Sequence, residues 1–301
     1  MDFRGKVILA PMADYTDYTY RNIMREFGAV YTYTEMVSSD AIAKGSIQGY
    51  GLLPHEDEKN IGIQLFGSDI NNMVFSAEQV KKSGTWIDIN AGCPVKKVVN
   101  RGAGAALLKD LPKLSDMIFS MKKVLDIPLG VKVRIGYSNV DIFNIHKAVE
   151  KAGADYIIIH GRTRDQLYTG ISDRKIISDI RKISNIPVGG SGDVFKREDI
   201  DYYLNYISDF VIVARGSIGN PWIFSDYEPT CDERKKVCIS HAENYVKVHS
   251  DEGVAMARFR KYLAHYFENY PGVRELRRNL NNIHTVDQMK NLINEIFPEN
   301  K

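Results

Sequence analysis

Eight strand-length apolar runs recur along this chain, each followed by a stretch long enough for a helix and a turn. They read VILAPMA (7–13), VYTYTEM (30–36), IGIQLFG (61–67), WIDINAG (86–92), PLGVKVRIG (128–136), ADYIIIHGR (154–162), IPVGGSG (186–192) and FVIVARG (210–216). Most are continuously apolar, as strands covered on both faces are. The segments YTYRNIMREFG and IFNIHKAVEKAG carry helical spacing and end on glycine, a helix stop. Eight such units predict an α/β fold, a (β/α)8 TIM barrel with a parallel sheet closed on itself. A doubly wound open sheet is the alternative, and the regularity of the units, complete near residue 225, favours closure.

Beyond Pro229 no strand-like run remains. Four helical patterns follow, broken at Gly253 and Pro271-Gly272. The expected organisation is a barrel over residues 1–229 and a small C-terminal all-helical domain over 230–301. The apolar runs are far shorter than the ~20 residues a membrane helix needs. The first residues lack a signal-peptide cleavage pattern. Three cysteines without paired spacing argue against a disulfide framework and fit a reducing, cytoplasmic setting. Cys231 and Cys238 fall on one helix face and read as packing, and no His–Cys cluster suggests a metal.

A closed parallel barrel collects the C-terminal ends of its strands at one mouth, where function resides. Those ends carry Pro11-Met12-Ala13, Glu35-Met36, Gln64, Asn90 with Cys93, Lys132 with Arg134, His160 with Arg162 and Arg164, Ser191-Gly192-Asp193, and Ala214-Arg215-Gly216. Gly189, Gly190 and Gly192, with Arg215-Gly216, either let backbone N–H groups approach a phosphate or merely permit tight turns. In VKVRIG the polar residues Lys132 and Arg134 share one face, which is either the barrel interior or a solvated strand end. An interior lysine needs an anion, and a reduced flavin ring offers one. His160 could equally be a structural donor, and Gln64 a core amide.

Cys93 follows its strand at a turn, with Lys96, Lys97 and Arg101 just beyond. It is either a nucleophile activated by cations or an acid that keeps its proton until needed. Net charge is only +2, but residues 258–278 set six cations against Glu268 and Glu275, interleaved with Phe259, Tyr262, Tyr266 and Phe267. That stretch reads either as a grip for a polyanion or as a solvated amphipathic helix pair.

Taken in order, LAPMADYTD, QLFGS, DINAGCPVKKVVNRGAGAALL, KVRIG, HGRTRDQLYTG, SGD and VARGSIGNPWIF resemble the tRNA-dihydrouridine synthases over nearly the whole chain. The resemblance implies reduction of the C5–C6 double bond of particular tRNA uridines with FMN and NADPH. Hydride would pass to C6, and Cys93 would give a proton to C5. It places Pro11, Met12, Ala13, Gln64, Lys132, His160, Ser191, Gly192, Asp193, Ala214 and Arg215 around FMN. It places Asn90, Arg134, Arg162 and Arg164 around the uracil and adjoining RNA, with Lys96, Lys97 and Arg101 on phosphates. tRNA is the expected partner; no membrane and no obligate protein partner is expected. Many relatives carry Asn-Gly-Asp where this chain has Ser191-Gly192-Asp193, so a hydroxyl replaces a longer amide there. Two other readings are weighed: an FMN barrel acting on a free pyrimidine, like dihydroorotate dehydrogenase, and an RNA-binding barrel without catalysis. The arginine-rich segment speaks against the first, and Cys93, Lys132 and His160 against the second.

Overall fold

The computed structural model describes residues 2–249 and 251–298. Eight parallel strands close in the order β1-β2-β3-β4-β5-β6-β7-β8, with β8 back on β1. They are β1 (Val7–Leu9), β2 (Tyr31–Ser38), β3 (Ile61–Phe66), β4 (Trp86–Ala91), β5 (Leu129–Arg134), β6 (Tyr156–His160), β7 (Val188–Ser191) and β8 (Phe210–Val213). The closed (β/α)8 barrel expected from the eight apolar runs is the fold observed.

The crossovers hold α1 (Tyr18–Glu26), α2 (Ser39–Ala43), α3 (Ile47–Tyr50), α4 (Ile70–Val80), α5 (Lys96–Val99), α6 (Leu111–Lys122), α7 (Ile142–Lys151), α8 (Arg174–Ile183) and α9 (Arg197–Tyr202). Side chains start several of them: Asp69, Asp110 and Asp173 each accept a backbone N–H three residues on. Such caps satisfy donors that the first turn leaves open. The glycines predicted to stop α1 and α7, Gly28 and Gly153, are both left-handed (φ +107° and +90°).

The barrel interior explains its own glycines. Gly62, Gly130 and Gly189, on the odd strands β3, β5 and β7, pair in register with Trp86, Tyr156 and Phe210 on the even strands. A Cβ on these glycines would lie 2.1, 2.0 and 2.4 Å from the facing rings. Alternate strands therefore supply bulk and space within one layer. Phe3 closes this layer, its ring centroid 5.3 Å from Trp86, 4.6 Å from Tyr156 and 5.4 Å from Phe210. The result is an aromatic floor with Ile8, Ile158 and Ile212 packed against it.

The chain divides into two compact units, one of residues up to Tyr18 with Ala29–Ala214, the other Thr19–Gly28 with the chain from Arg215 onward. The second unit holds α10 (Cys231–Val248), α11 (Glu252–Tyr266), α12 (Val273–Asn279) and α13 (Val286–Ile296), the helices expected after the barrel. Thr230 and Glu233 form a capping box at α10, and Thr285 and Gln288 one at α13. Its core is aromatic: His241 Nδ1 lies 2.9 Å from the Tyr266 hydroxyl, and Tyr20 stacks on Tyr262 at 5.3 Å. Cys238 is fully buried, as its helix face suggested. Among the described residues no helix is long and apolar enough to cross a membrane.

Candidate active site

Strand β4 ends at Ala91, and the chain turns sharply at Gly92 and Cys93. The inward face of β4 carries Trp86, Asp88 and Asn90 in succession, as period-two alternation requires. Asn90 organises the turn. Its Oδ1 accepts the N–H of Gly92 at 3.1 Å and of Cys93 at 2.8 Å. Its Nδ2 donates to Gln64 Oε1 at 2.7 Å and to Met36 Sδ at 2.8 Å. The Cys93 carbonyl accepts the N–H of Ala105 at 3.0 Å. Gly104 is left-handed (φ +60°), and a Cβ there would stand 3.0 Å from that of Cys93. Cys93 is thus held from both sides while its thiol stays half-buried.

Burial pushes the Cys93 thiol above its usual range, against the Val95 backbone N–H, Lys132 and Arg134, which pull it down. The tension between acid and nucleophile therefore resolves toward a protonated sulfur at neutral pH. Lys96, Lys97 and Arg101 lie exposed around α5, and the cations that bear on the thiol are those of β5 instead.

Lys132 stands beside Asn90 in the β4–β5 register. Burial and the neighbouring Arg134 guanidinium lower its ammonium to about 8, against Asp88 and Cys93. Among the described residues no hydrogen bond or ion pair reaches its ammonium. Its face is the barrel interior, one of the two placements left open by the alternation in VKVRIG.

Asp88 was not among the sequence-derived candidates. It lies fully buried beside Gln64 in the β3–β4 register and accepts Gln64 Nε2 at 2.6 Å. Its Oδ1 has no hydrogen-bond partner among the described residues. Burial raises its carboxyl to about 7, opposed by Gln64, Lys132 and the hydroxyls of Tyr156 and Tyr33. The signal was present in the sequence: a carboxylate inside WIDIN on the inward face, two residues before Asn90.

Arg134 and Arg162 behave differently from the uracil and RNA contacts expected of them. Both are 2% exposed. Arg134 donates from Nε to the Gly92 carbonyl at 3.0 Å and from Nη1 to those of Thr163 and Leu167 at 2.8 and 2.7 Å. It ties the Cys93 turn to the loop after β6. Arg162 donates to the carbonyls of Thr169 and Gly170 at 3.0 and 2.6 Å and to Asp193 at 2.7 Å. Their guanidiniums are spent on loop carbonyls, which chain spacing could not reveal. Arg164 pairs with Asp165 at 2.9 Å and lies over Tyr137.

His160 Nε2 faces Arg162 Nη1 at 3.3 Å. A guanidinium only donates, so this nitrogen accepts and Nδ1 carries the ring proton. A Cβ on Gly192 (φ +114°) would lie 2.7 Å from the His160 ring and 2.3 Å from Ser172 Oγ. Asp193, also left-handed, accepts the Ser172 N–H at 2.8 Å, and Tyr203 donates to the Gly192 carbonyl at 2.7 Å. Ser191 is buried beneath this tightly held turn. Gly189 and Gly190 take no part in it: their missing side chains make room for the rings of Phe210 and Tyr203. Of that glycine cluster, Gly192 alone belongs to the loop.

At the end of β1, Thr16 Oγ1 accepts the Met12 N–H at 3.0 Å and donates to its carbonyl at 3.1 Å, closing the loop of Pro11, Met12 and Ala13. Met12 and Ala214 pack against the interior cluster. In the helical unit, Arg215 opens a short helical turn and is exposed. Arg258, Arg274, Arg277 and Arg278 are exposed as well, whereas Arg260 donates twice to the Ile283 carbonyl. The interleaved Phe259, Tyr262, Tyr266 and Phe267 are buried in that unit's core and offer no stacking surface.

Comparison with known proteins gives this arrangement a family. The family model described as dihydrouridine synthase matches residues 8–301. The tRNA-dihydrouridine synthase B of Pseudomonas putida is 34% identical over 295 residues, covering 92% of this chain and 87% of that one. Those of Pseudomonas syringae and Pseudomonas aeruginosa are 32% and 31% identical, covering 97% and 98% of this chain and 91% and 93% of theirs. A match that begins in β1 and continues through the helical unit, with relatives of this likeness along most of their length, means that the chain belongs to the dihydrouridine synthase family.

Proposed function

We propose that this chain reduces the C5–C6 double bond of uridines in tRNA, with Cys93 as the acid that protonates C5. The observation that carries the reading is the Cys93 turn: a half-buried thiol that keeps its proton, on a backbone held by Asn90, Ala105 and Arg134.

The mouth of the barrel suits a flavin. Among the described residues Lys132 has no hydrogen-bonding partner on the inner face, and its ammonium is the donor an electron-rich ring edge requires. His160 and the Gly192 turn stand one and two strands further round the mouth. FMN, with NADPH as its reductant, would supply the hydride that reaches uracil C6. Lys132, His160, Gln64, Ser191, Gly192 and Asp193, with Pro11, Met12, Ala13 and Ala214, are the residues that would hold it.

The rest is the work of side chains. Hydride arrival at C6 places enolate-like charge on C5 and the C4 carbonyl. Cys93 Sγ gives its proton to C5, and the thiolate left behind sits within the field of Lys132 and Arg134. Solvent then returns a proton to sulfur, because burial keeps the thiol a weak acid. The base must leave its stack to reach such a site. Lys96, Lys97, Arg101 and the exposed arginines of the helical unit would neutralise tRNA phosphates, with affinity falling as salt rises. A tRNA substrate supports a cytoplasmic setting.

The test is dihydrouridine formation in tRNA from cells lacking such enzymes, read by mass spectrometry after incubation with this protein and NADPH. Expected is uridine heavier by two hydrogens, and none with Cys93→Ala. A folded, flavin-bearing protein that leaves tRNA untouched but reduces free pyrimidines would overturn the reading.

A further inference from the structure

The fully buried carboxylate of Asp88 has no evident work to do in a core. A carboxylate inside a barrel is costly even with Gln64, Lys132 and the hydroxyls of Tyr156 and Tyr33 around it. One oxygen accepts Gln64 Nε2 at 2.6 Å, and the other has no hydrogen-bond partner among the described residues. What the carboxylate does offer is direction. A carboxyl keeps an oxygen that accepts whether or not the other carries a proton. Gln64 turns its NH2 toward Asp88, which leaves Oε1 for Asn90 Nδ2 at 2.7 Å. Asn90 in turn must present Oδ1 to the N–H groups of Gly92 and Cys93. Five residues on two adjacent strands and one turn form a single oriented chain, from the barrel interior to the backbone of the proton donor.

We propose that Asp88 is a positioning residue for the Cys93 turn, acting through the side-chain amides of Gln64 and Asn90. Its bearing on catalysis rests on the reading of Cys93 as the acid, but the geometry is testable without turnover. Asp88 is fully buried, and its hydrogen bond goes to Gln64 rather than to the Cys93 turn. It anchors the deep end of the chain, so that the amide of Gln64 cannot rotate away from Asn90 and Asn90 cannot drift from the turn.

The experiment uses the intact chain and two readouts needing neither tRNA nor reductant. One is hydrogen–deuterium exchange of peptides spanning residues 90–95. The other is the alkylation rate of Cys93 by iodoacetamide, read at that residue by mass spectrometry. Asp88→Leu is expected to speed exchange at the turn about tenfold, the equivalent of one lost hydrogen bond, with a parallel rise in alkylation. Asp88→Asn keeps an acceptor in the same place and should stay within about threefold of wild type. Gln64→Leu should match Asp88→Leu, and the double variant should be no looser than Gln64→Leu alone, because both break the same chain. Trp86→Phe, a lesion on the same strand outside the chain, should lower Tm and leave exchange at residues 90–95 unchanged.

Unchanged exchange in Asp88→Leu, or a double variant whose effects multiply, overturns the proposal. Should Asp88→Leu not fold, the double variant against Gln64→Leu decides, since no buried donor or acceptor of the pair is then left alone. Equal protection supports the chain, and a further tenfold loss or a double variant that also fails to fold refutes it. An inactive wild-type protein with this exchange pattern would sink the proposed reaction and leave the inference standing.

Discussion

The N–H of Cys93 donates to Oδ1 of Asn90 at 2.8 Å, so the next-to-last residue of β4 fixes the backbone of the residue three positions on. Short-range capping of this kind usually starts a helix. Here it aims a thiol. Loss of the cap should therefore act on rate more than on binding. Asn90→Ala is expected to lower kcat for uridine reduction about 10- to 100-fold while KM for tRNA moves less than twofold. Steady-state kinetics with purified tRNA check both numbers.

The aromatic floor makes a steric prediction. A Cβ on Gly62 would stand 2.1 Å from Trp86 Nε1 and 2.6 Å from the Tyr33 ring. Overpacking of this kind costs about 1–3 kcal/mol. Gly62→Ala should lower Tm by several degrees, at about 2–4 °C per kcal/mol for a chain of roughly 150–250 residues or more. Adding Trp86→Leu should recover part of the loss, a result thermal melting will show.

Lys132 sets a pH dependence on flavin binding. With its ammonium at about 8, it is mostly charged at pH 7 and mostly neutral at pH 9. The dissociation constant for FMN should rise about tenfold over that range, because the unliganded protein must take up a proton to bind the anionic ring edge. Lys132→Met should bind weakly at both pH values. Fluorescence titration of the apoprotein measures this directly, and a flat profile in wild type would count against the lysine.

Asp88 sets a second dependence, of opposite kind. Its carboxyl is raised to about 7 in the folded chain, above its ordinary 3.8. The folded state then holds a proton that the unfolded state releases, so this group costs nothing below pH 4. The cost grows as pH rises toward 7 and is constant above. At its plateau it is on the order of 4 kcal/mol. Asp88→Asn removes it. The variant's Tm should gain on wild type as pH climbs from 4 to 8, and melting curves of the two proteins, compared pH by pH, isolate the effect.

Much of this architecture was legible because it rests on long, repeated signals. Eight apolar runs fix eight strands within a few residues of where they lie, and the stop signals at Gly28 and Gly153 coincide with left-handed backbone. The position of Cys93 just beyond a strand likewise reads directly from WIDINAGCP. What spacing could not convey is the use of each polar group. The resemblance sets Arg134 and Arg162 around the uracil and adjoining RNA, and what the spacing in KVRIG and HGRTR does not convey is that their guanidiniums also close loops through backbone carbonyls. The aromatics among the arginines of 258–278 leave a polyanion grip and an amphipathic helix pair both open, and only helical phase shows that they form a core. Gly189 and Gly190 read as a phosphate cradle and are instead the space beside two rings. Asp88 passed unnoticed for a related reason. A lone carboxylate in an apolar strand gains meaning only from Gln64, which lies on the neighbouring strand.

The rings of Trp86, Tyr156 and Phe210, sealed by Phe3, make the barrel a cup with a solid base. Traffic follows from that. Nothing can be delivered to Lys132 and Cys93 from below while something else occupies the rim above them. An electron donor and an RNA that both need this rim must come and go by one door. Where the two share one seat, each departs before the other is served, and initial-rate plots would display such alternating visits as a family of parallel lines.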